Sequence, residues 1–300
     1  MNDFFYNNKC AWITVNRYCN LDCFWCYAQV VKQVESNMPK DLLFKIIDIC
    51  AEGGIKKIVF IGGEPTLYPF LFDAILYCKH KSIRSEITTN GLKLSNRHFV
   101  SLLAKAGLDS VIISMKGSHR EDYIQTTGHD GFDSIMLALD ILSYYKINYG
   151  LSAVLTSSLI EHLEILISKL KKHNVELLVF SFLTEFGYDE KSMLFYRQNA
   201  PDIVLKLLFD KINNNIISFE GIQWFIETCC HVMIQNSDIG LFFRDHFHCS
   251  CKKQGRPSLS FDTEGRILCC NNYPTISMGK YADDFMTFGE LQRYARLKYK

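Results

Sequence analysis

Six short runs rich in β-branched and aromatic residues, AWITVN, KKIVFI, RSEITT, SVIIS, YGLSAVL and LLVFSFL, recur through the first 183 residues, each parted from the next by a stretch with helical spacing. Parallel strands need long crossover connections, and helices in those crossovers cover the sheet. The pattern therefore predicts an α/β fold, a partial (β/α)6 TIM-type barrel, with active residues at the C-terminal ends of its strands. One crossover shows the logic. In PKDLLFKIIDICAEGG the apolar Leu42, Leu43, Ile46, Ile47 and Cys50 share one helical face, Pro39 suits the first turn, and Gly53 and Gly54 supply the stop. Cys50 reads as core. The expected organisation is a barrel over 1–185, a helical linker over 186–225 and a small Cys-rich C-terminal domain over 226–300. No fixed-period repeat and no low-complexity segment is present.

The polar residues fall at the strand tips. Strand one runs into RYCNLDCFWCYA, strand two into GGEPT, strand three into TTNG and strand four into SMKG, so four consecutive strands deliver polar or Gly-rich segments to one rim.

Composition narrows what that rim can do. At 300 residues, 48% hydrophobic and 22% charged, the chain can bury a sizeable core. Lys and Arg number 33 against 32 Asp and Glu, so no net field recruits nucleic acid or an anionic membrane, and neither is an expected partner. The start MNDFFYNNKCAW is not a signal peptide and no run of 18 apolar residues occurs, which points to a cytoplasmic protein. Twelve cysteines fall below the roughly 8–10% of disulfide scaffolds. In a reducing compartment they are thiols, ligands or small hydrophobes. Cys19, Cys23 and Cys26 crowd into eight positions. Three thiolates hold three irons of a cubic cluster whose closed form takes four, leaving one iron open. The alternatives are a chance cluster and structural zinc; zinc asks for paired Cys-x2-Cys or Cys/His spacings, and no fourth ligand is nearby.

The CNLDCFWC pattern, with GGEPT about forty residues on and TTNG after the next strand, resembles the radical S-adenosylmethionine (SAM) enzymes through about residue 183. The resemblance implies that Cys19, Cys23 and Cys26 bind a [4Fe-4S] cluster whose open iron chelates the methionine end of SAM. One electron then cleaves the cofactor to a 5′-deoxyadenosyl radical, which takes hydrogen from a substrate. It also implies an external electron donor such as flavodoxin or ferredoxin. Trp25 resembles the family's aromatic near the adenine, a task suited to a flat ring; its alternative is a core Trp. Gly62 and Gly63 let backbone approach the cofactor, and Glu64 accepts from its ammonium group. Thr88, Thr89 and Asn90 offer hydroxyls and an amide to ribose or carboxylate, Gly91 permits the turn, and Ser114 is a ribose contact. Two positions depart from the pattern: Lys116 stands where relatives carry an acid, and Gln125 where an Arg is frequent. Lys116 reads equally as a solvated surface lysine.

Beyond residue 228 lie Cys229, Cys230, Cys249, Cys251, Cys269 and Cys270. Cys251, thirteen residues, Gly265, four residues and Cys270 resemble the opening of the SPASM or shortened twitch domain, which binds auxiliary iron-sulfur clusters in relatives. SLSFDTEGRILCC reads as a hairpin turning at Thr263-Glu264-Gly265. Cys249, Cys251, Cys270 and Cys229 are the candidate ligands of one auxiliary cluster, with Cys230, His246 and His248 as alternates; zinc and unliganded thiols are the competing readings. His231 and the aromatics around Phe242 read as packing.

The resemblance implies a radical SAM enzyme that tailors a ribosomal peptide or other natural product by crosslinking, oxidation or epimerisation. The enzyme alternative modifies a small sugar or nucleotide, and the non-enzyme alternative is an iron-sulfur binding module. With the triplet at residue 19, no separate N-terminal peptide-recognition domain is expected in this sequence.

Overall fold

The computed structural model describes residues 10–26, 28, 36–183, 190–227, 237–248, 259–268 and 277–281. All six expected strands form. In chain order the elements are β1 (Cys10–Asn16), α1 (Lys40–Glu52), β2 (Lys57–Gly62), α2 (Leu71–His80), β3 (Arg84–Thr89), α3 (Arg97–Ala106) and β4 (Ser110–Met115). Then come α4 (Arg120–Thr127), α5 (Phe132–Tyr144), β5 (Asn148–Leu155), α6 (Ser157–Glu161), α7 (Leu163–Lys172) and β6 (Leu177–Phe182). The remaining described elements are α8 (Glu190–Gln198), α9 (Pro201–Asn213), β7 (Gln223–Glu227), α10 (Ser237–Phe242), β8 (Phe247–His248), β9 (Leu259–Phe261), β10 (Arg266–Leu268) and β11 (Ser277–Tyr281). Helix α1 follows Pro39 and buries Leu43, Ile46, Ile47 and Cys50, while Gly54 takes the left-handed conformation beyond its end at φ 69°. Helix α3 is capped by Asn96, whose Oδ1 accepts from Phe99 N at 3.0 Å, and ends on Gly107 at φ 90°.

The strands lie in one sheet, ordered β11-β10-β9-β1-β2-β3-β4-β5-β6-β7-β8. From β9 through β1 to β8 the neighbours are parallel, as a partial TIM-type barrel requires. The sequence pattern ended the alternation at residue 183, yet α9 and β7 supply a further helix and parallel strand. QWFIE is only five residues long and carries no alternating signal strong enough to declare itself.

Side chains alternate between two faces of this sheet. Ile13, Ile58, Phe60, Ile87, Val111, Ile113, Leu151, Leu178 and Phe180 point outward into the main core under the helices. Inward, Ile112, Leu177, Val179 and Phe225 form a separate apolar cluster that plugs the lumen. On the same face Lys57 pairs with Glu86 at 3.4 Å, both nearly buried, and Ser110 Oγ donates to Glu86 Oε2 at 2.7 Å. Lys57 and Ser110 open β2 and β4, and Glu86 is the third residue of β3. Apolar packing and a paired charge thus close one end, leaving polar chemistry to the other.

The expected hairpin is present as β9 and β10, and β9 also pairs parallel with β1. Its turn is held by Asp262, fully buried, whose Oδ1 accepts from Glu264 N and Arg266 N while Oδ2 takes Arg266 Nε at 2.6 Å. Gly265 has φ 79°, as the turn demands. Cys229, Cys230, Cys249, Cys251, Cys269, Cys270 and His231 lie outside the described residues. Phe242 packs edge-on against Phe209 and the fully buried Phe243, while His246, an alternate ligand by sequence, stacks on Trp224 with ring centroids 3.8 Å apart.

Candidate functional site

A cavity of about 170 Å³ opens at the C-terminal rim of β1 to β4. Its wall includes Cys19, Cys23, Trp25, Cys26, Gly62, Gly63, Glu64, Thr88, Asn90 and Ser114, together with Lys116. The residues that the motif pattern nominated as cluster ligands or cofactor contacts in the barrel therefore meet in one place. Gln125 is exposed on α4 and does not join them.

The β2 tip is fitted against the cysteine loop. A methyl group on Gly62 would stand 2.3 Å from Asn16 Oδ1, and one on Gly63 would stand 2.2 Å from the Tyr18 carbonyl oxygen. Real Cβ atoms do not come so close, so both positions need glycine because protein backbone passes there. Gly63 N donates to Asn16 O at 3.0 Å, Glu64 N to Tyr18 O at 2.8 Å, and Asn16 Nδ2 to Glu64 O at 2.8 Å.

Glu64 is 1% exposed and its carboxylate is occupied by its own chain. Oε1 accepts from Thr66 N at 3.0 Å, Thr66 Oγ1 at 2.7 Å and Thr89 Oγ1 at 2.5 Å; Oε2 accepts from Asn90 N at 2.7 Å. A carboxylate offers about four lone-pair sites, so this one knits the tip of β2 to the tip of β3. Asn90 carries the link onward, donating Nδ2 to Asn20 Oδ1 at 2.7 Å with Cys19 Sγ at 4.0 Å. Gly91 adopts φ 82° and lets the chain turn away. Thr88, by contrast, is half-buried on the cavity wall. Ser114 accepts from Ser152 Oγ at 3.5 Å. Trp25 is buried against Leu183, with Phe24, Val154, Phe195 and Tyr196 around them, and Lys116 Nζ lies 4.9 Å above its ring centre.

Burial pushes the Cys19 thiol up to about 11; the Leu21 N–H, donating to Sγ from 3.4 Å, opposes the rise, and Glu64, Cys23 and Cys26 add to it. A thiol so placed stays protonated in water unless a cation replaces the proton. Among the described residues no group of three or more His, Cys, Asp or Glu could hold a single metal ion. A cubic cluster asks for something different, a separate thiolate on each of three irons, and three soft donors around one open cavity fit that demand. Sequence reasoning missed Asn16 and Asn20. Asn16, a polar residue ending a β-branched run, carried a faint signal; Asn20 carried none.

Residues 13–172, more than half the chain, match the Radical SAM superfamily. The chain belongs to that family. It is a radical SAM enzyme, and radical SAM enzymes work with a [4Fe-4S] cluster and SAM. Among curated relatives, the GTP 3′,8-cyclase of Chlorobaculum tepidum is 33% identical over 132 residues, 43% of this chain and 39% of that protein. The Fe-coproporphyrin III synthase of Methanosarcina barkeri is 28% identical over 199 residues, 64% of this chain and 49% of the relative. This radical SAM chain therefore spans less than half the length of the curated relatives it matches. Among solved structures, Streptococcus suis SuiB bound to precursor peptide SuiA superposes with a TM-score of 0.72 at 17% identity, over 95% of this chain and 64% of SuiB. The protein anSMEcpe with bound AdoMet gives 0.68 at 20% identity, over 97% and 80%. Both likenesses establish the fold. Among the described residues no helix is long and apolar enough to cross a membrane.

Proposed function

We propose that this radical SAM enzyme binds its cluster through Cys19, Cys23 and Cys26, holds SAM against the β2, β3 and β4 tips, and tailors a ribosomal peptide or other natural product. The observation that carries this reading is the convergence of the three thiols with Thr88, Ser114 and Trp25 on one cavity. The chemistry supplied there, when cluster and SAM are bound, is one-electron cleavage of SAM and hydrogen abstraction from substrate. The chain's own part is placement. Glu64 keeps the β2 and β3 tips in register, Thr88 and Ser114 present hydroxyls to ribose or carboxylate, and Trp25 with Leu183 walls the site from water. Asn90 serves chiefly to hold the cysteine loop. The peptide reading draws on the fold shared with SuiB, which was solved with its precursor peptide. An external donor such as flavodoxin or ferredoxin would supply the electron.

Lys116 favours a second reading. Its ammonium reaches the cavity wall and stacks on Trp25, and a cation in that place suits a substrate bearing phosphate or carboxylate, such as a nucleotide. Curated relatives named for GTP chemistry agree with it. Cys249, Cys251, Cys270 and Cys229 remain the candidates for an auxiliary cluster.

The test is anaerobic reconstitution followed by addition of a strong reductant and SAM. Formation of 5′-deoxyadenosine is expected from the wild type and none from Cys26→Ala; no product from the wild type would sink the assignment. Replacing Cys270 by Ala should spare this uncoupled cleavage.

A further inference from the structure

The apolar plug of the lumen gives way to polar residues toward the C-terminal rim. Two residues beyond Ile112, Val179 and Phe225, on the same inward face, stand Ser114, Ser181 and Glu227. Ser152 pairs in register with Ser114 and its Oγ donates to Ser114 Oγ at 3.5 Å, while Ser181 pairs in register with Glu227. A polar tier thus runs across β4, β5, β6 and β7, and it starts at a residue of the cavity wall. The space in front of it is open. Ser114, Ser152, Ser181 and Glu227 are half-buried, whereas their outward-facing neighbours Met115, Ala153, Phe182 and Ile226 are buried in the main core. Glu227 is the acid of this tier, and among the described residues no hydrogen bond or ion pair holds its carboxylate. Glu64 and Glu86, by contrast, are both satisfied by their own chain. Burial pushes the Glu227 carboxyl above the usual range, and Lys57, which opposes the rise, is itself 3.4 Å from Glu86. A carboxylate drawn away from bulk water without donors of its own is costly, and a ligand that brings the donors removes the cost.

We propose that Glu227 is a specificity-determining residue whose carboxylate receives an ammonium or guanidinium group of the substrate in the lumen beside Ser181. Cationic N–H donors form the charge-assisted bonds that this carboxylate lacks within its own chain. The three strand spacings from β4 to β7 amount to roughly 14 Å along the sheet, which about four extended peptide residues cover. The proposal deepens the peptide reading above and rests on the assignment of the C-terminal rim to the cofactor. It concerns which substrates are held, and Glu227 makes or breaks no bond.

The probe is n-butylammonium, with 1-butanol as its uncharged counterpart, each titrated into the anaerobically reconstituted full chain and followed by saturation-transfer NMR of the probe. Wild type should hold the ammonium more tightly than the alcohol, and Glu227→Gln should weaken the ammonium about tenfold while leaving the alcohol unchanged. Glu227→Asp, which keeps the charge on a shorter arm, should retain the preference for the ammonium at an affinity between the two. Equal affinity of wild type for both probes, or a Glu227→Gln chain that holds the ammonium as tightly as wild type, would overturn the proposal. Weakening of both probes alike would also overturn it, since that is what a merely structural role produces. A wild type that shows the ammonium preference yet forms no 5′-deoxyadenosine with reductant and SAM would instead sink the functional reading on which the proposal rests.

Discussion

Glu64 shows how one cavity-wall side chain can hold a site together. Its carboxylate gathers four donors from Thr66, Thr89 and Asn90, so Glu64→Ala leaves buried N–H and hydroxyl groups without acceptors. The expected cost is about 3 kcal/mol or more by urea denaturation of the metal-free chain, with Glu64→Gln recovering part of it. A merely cofactor-facing carboxylate would leave metal-free stability unchanged. Two other buried residues predict a pH dependence. Cys50 and Cys78 have no exposed surface, and burial pushes both thiols far above their ordinary value of 9.0. A raised pKa in the folded state means the folded chain keeps protons that the unfolded chain gives up. Their contribution is therefore complete below about pH 9 and shrinks as pH climbs from there. Stability of the metal-free chain should fall between pH 8.5 and roughly pH 10.5, and Cys50→Ala/Cys78→Ala should flatten that slope while lowering stability at neutral pH.

Among the elements, β2, β3 and β4 share an electrostatic seal at their N-terminal ends. Lys57 and Glu86 are both about 5% exposed, so removing Lys57 takes the paired cation away from a buried carboxylate. Lys57→Met should destabilise by about 3–5 kcal/mol, whereas Lys57→Met with Glu86→Leu should regain most of that. Thermal melts of the three variants would check it; additive losses would mean the pair does not act as a unit. At this scale the sequence was readable where a strand had six or more residues with alternating or β-branched character, which covers β1 to β6. It was opaque for the parallel seam between β9 and β1, because nothing local in LSF announces a partner almost 250 residues away. The site divided similarly. The strand tips singled out by residue type do line the cavity, yet the bonds that tie Asn90 to Asn20 and Leu92 depend on side-chain direction.

For the whole molecule, the main core lies between helices and the outer face of the sheet, away from the cavity. The barrel is therefore expected to assemble without iron, unlike small metal-dependent folds. Stripping it with a chelator should abolish 5′-deoxyadenosine formation while far-UV circular dichroism changes by no more than about a tenth; collapse of that signal would show the cluster to be a folding element. The interlock of Gly62 and Gly63 with residues 16–18 carries a practical corollary for protein engineers. The two loops behave as one cassette, so a chimera that imports either without its counterpart inherits a collision, while exchanging both together transplants a seat already cut to size.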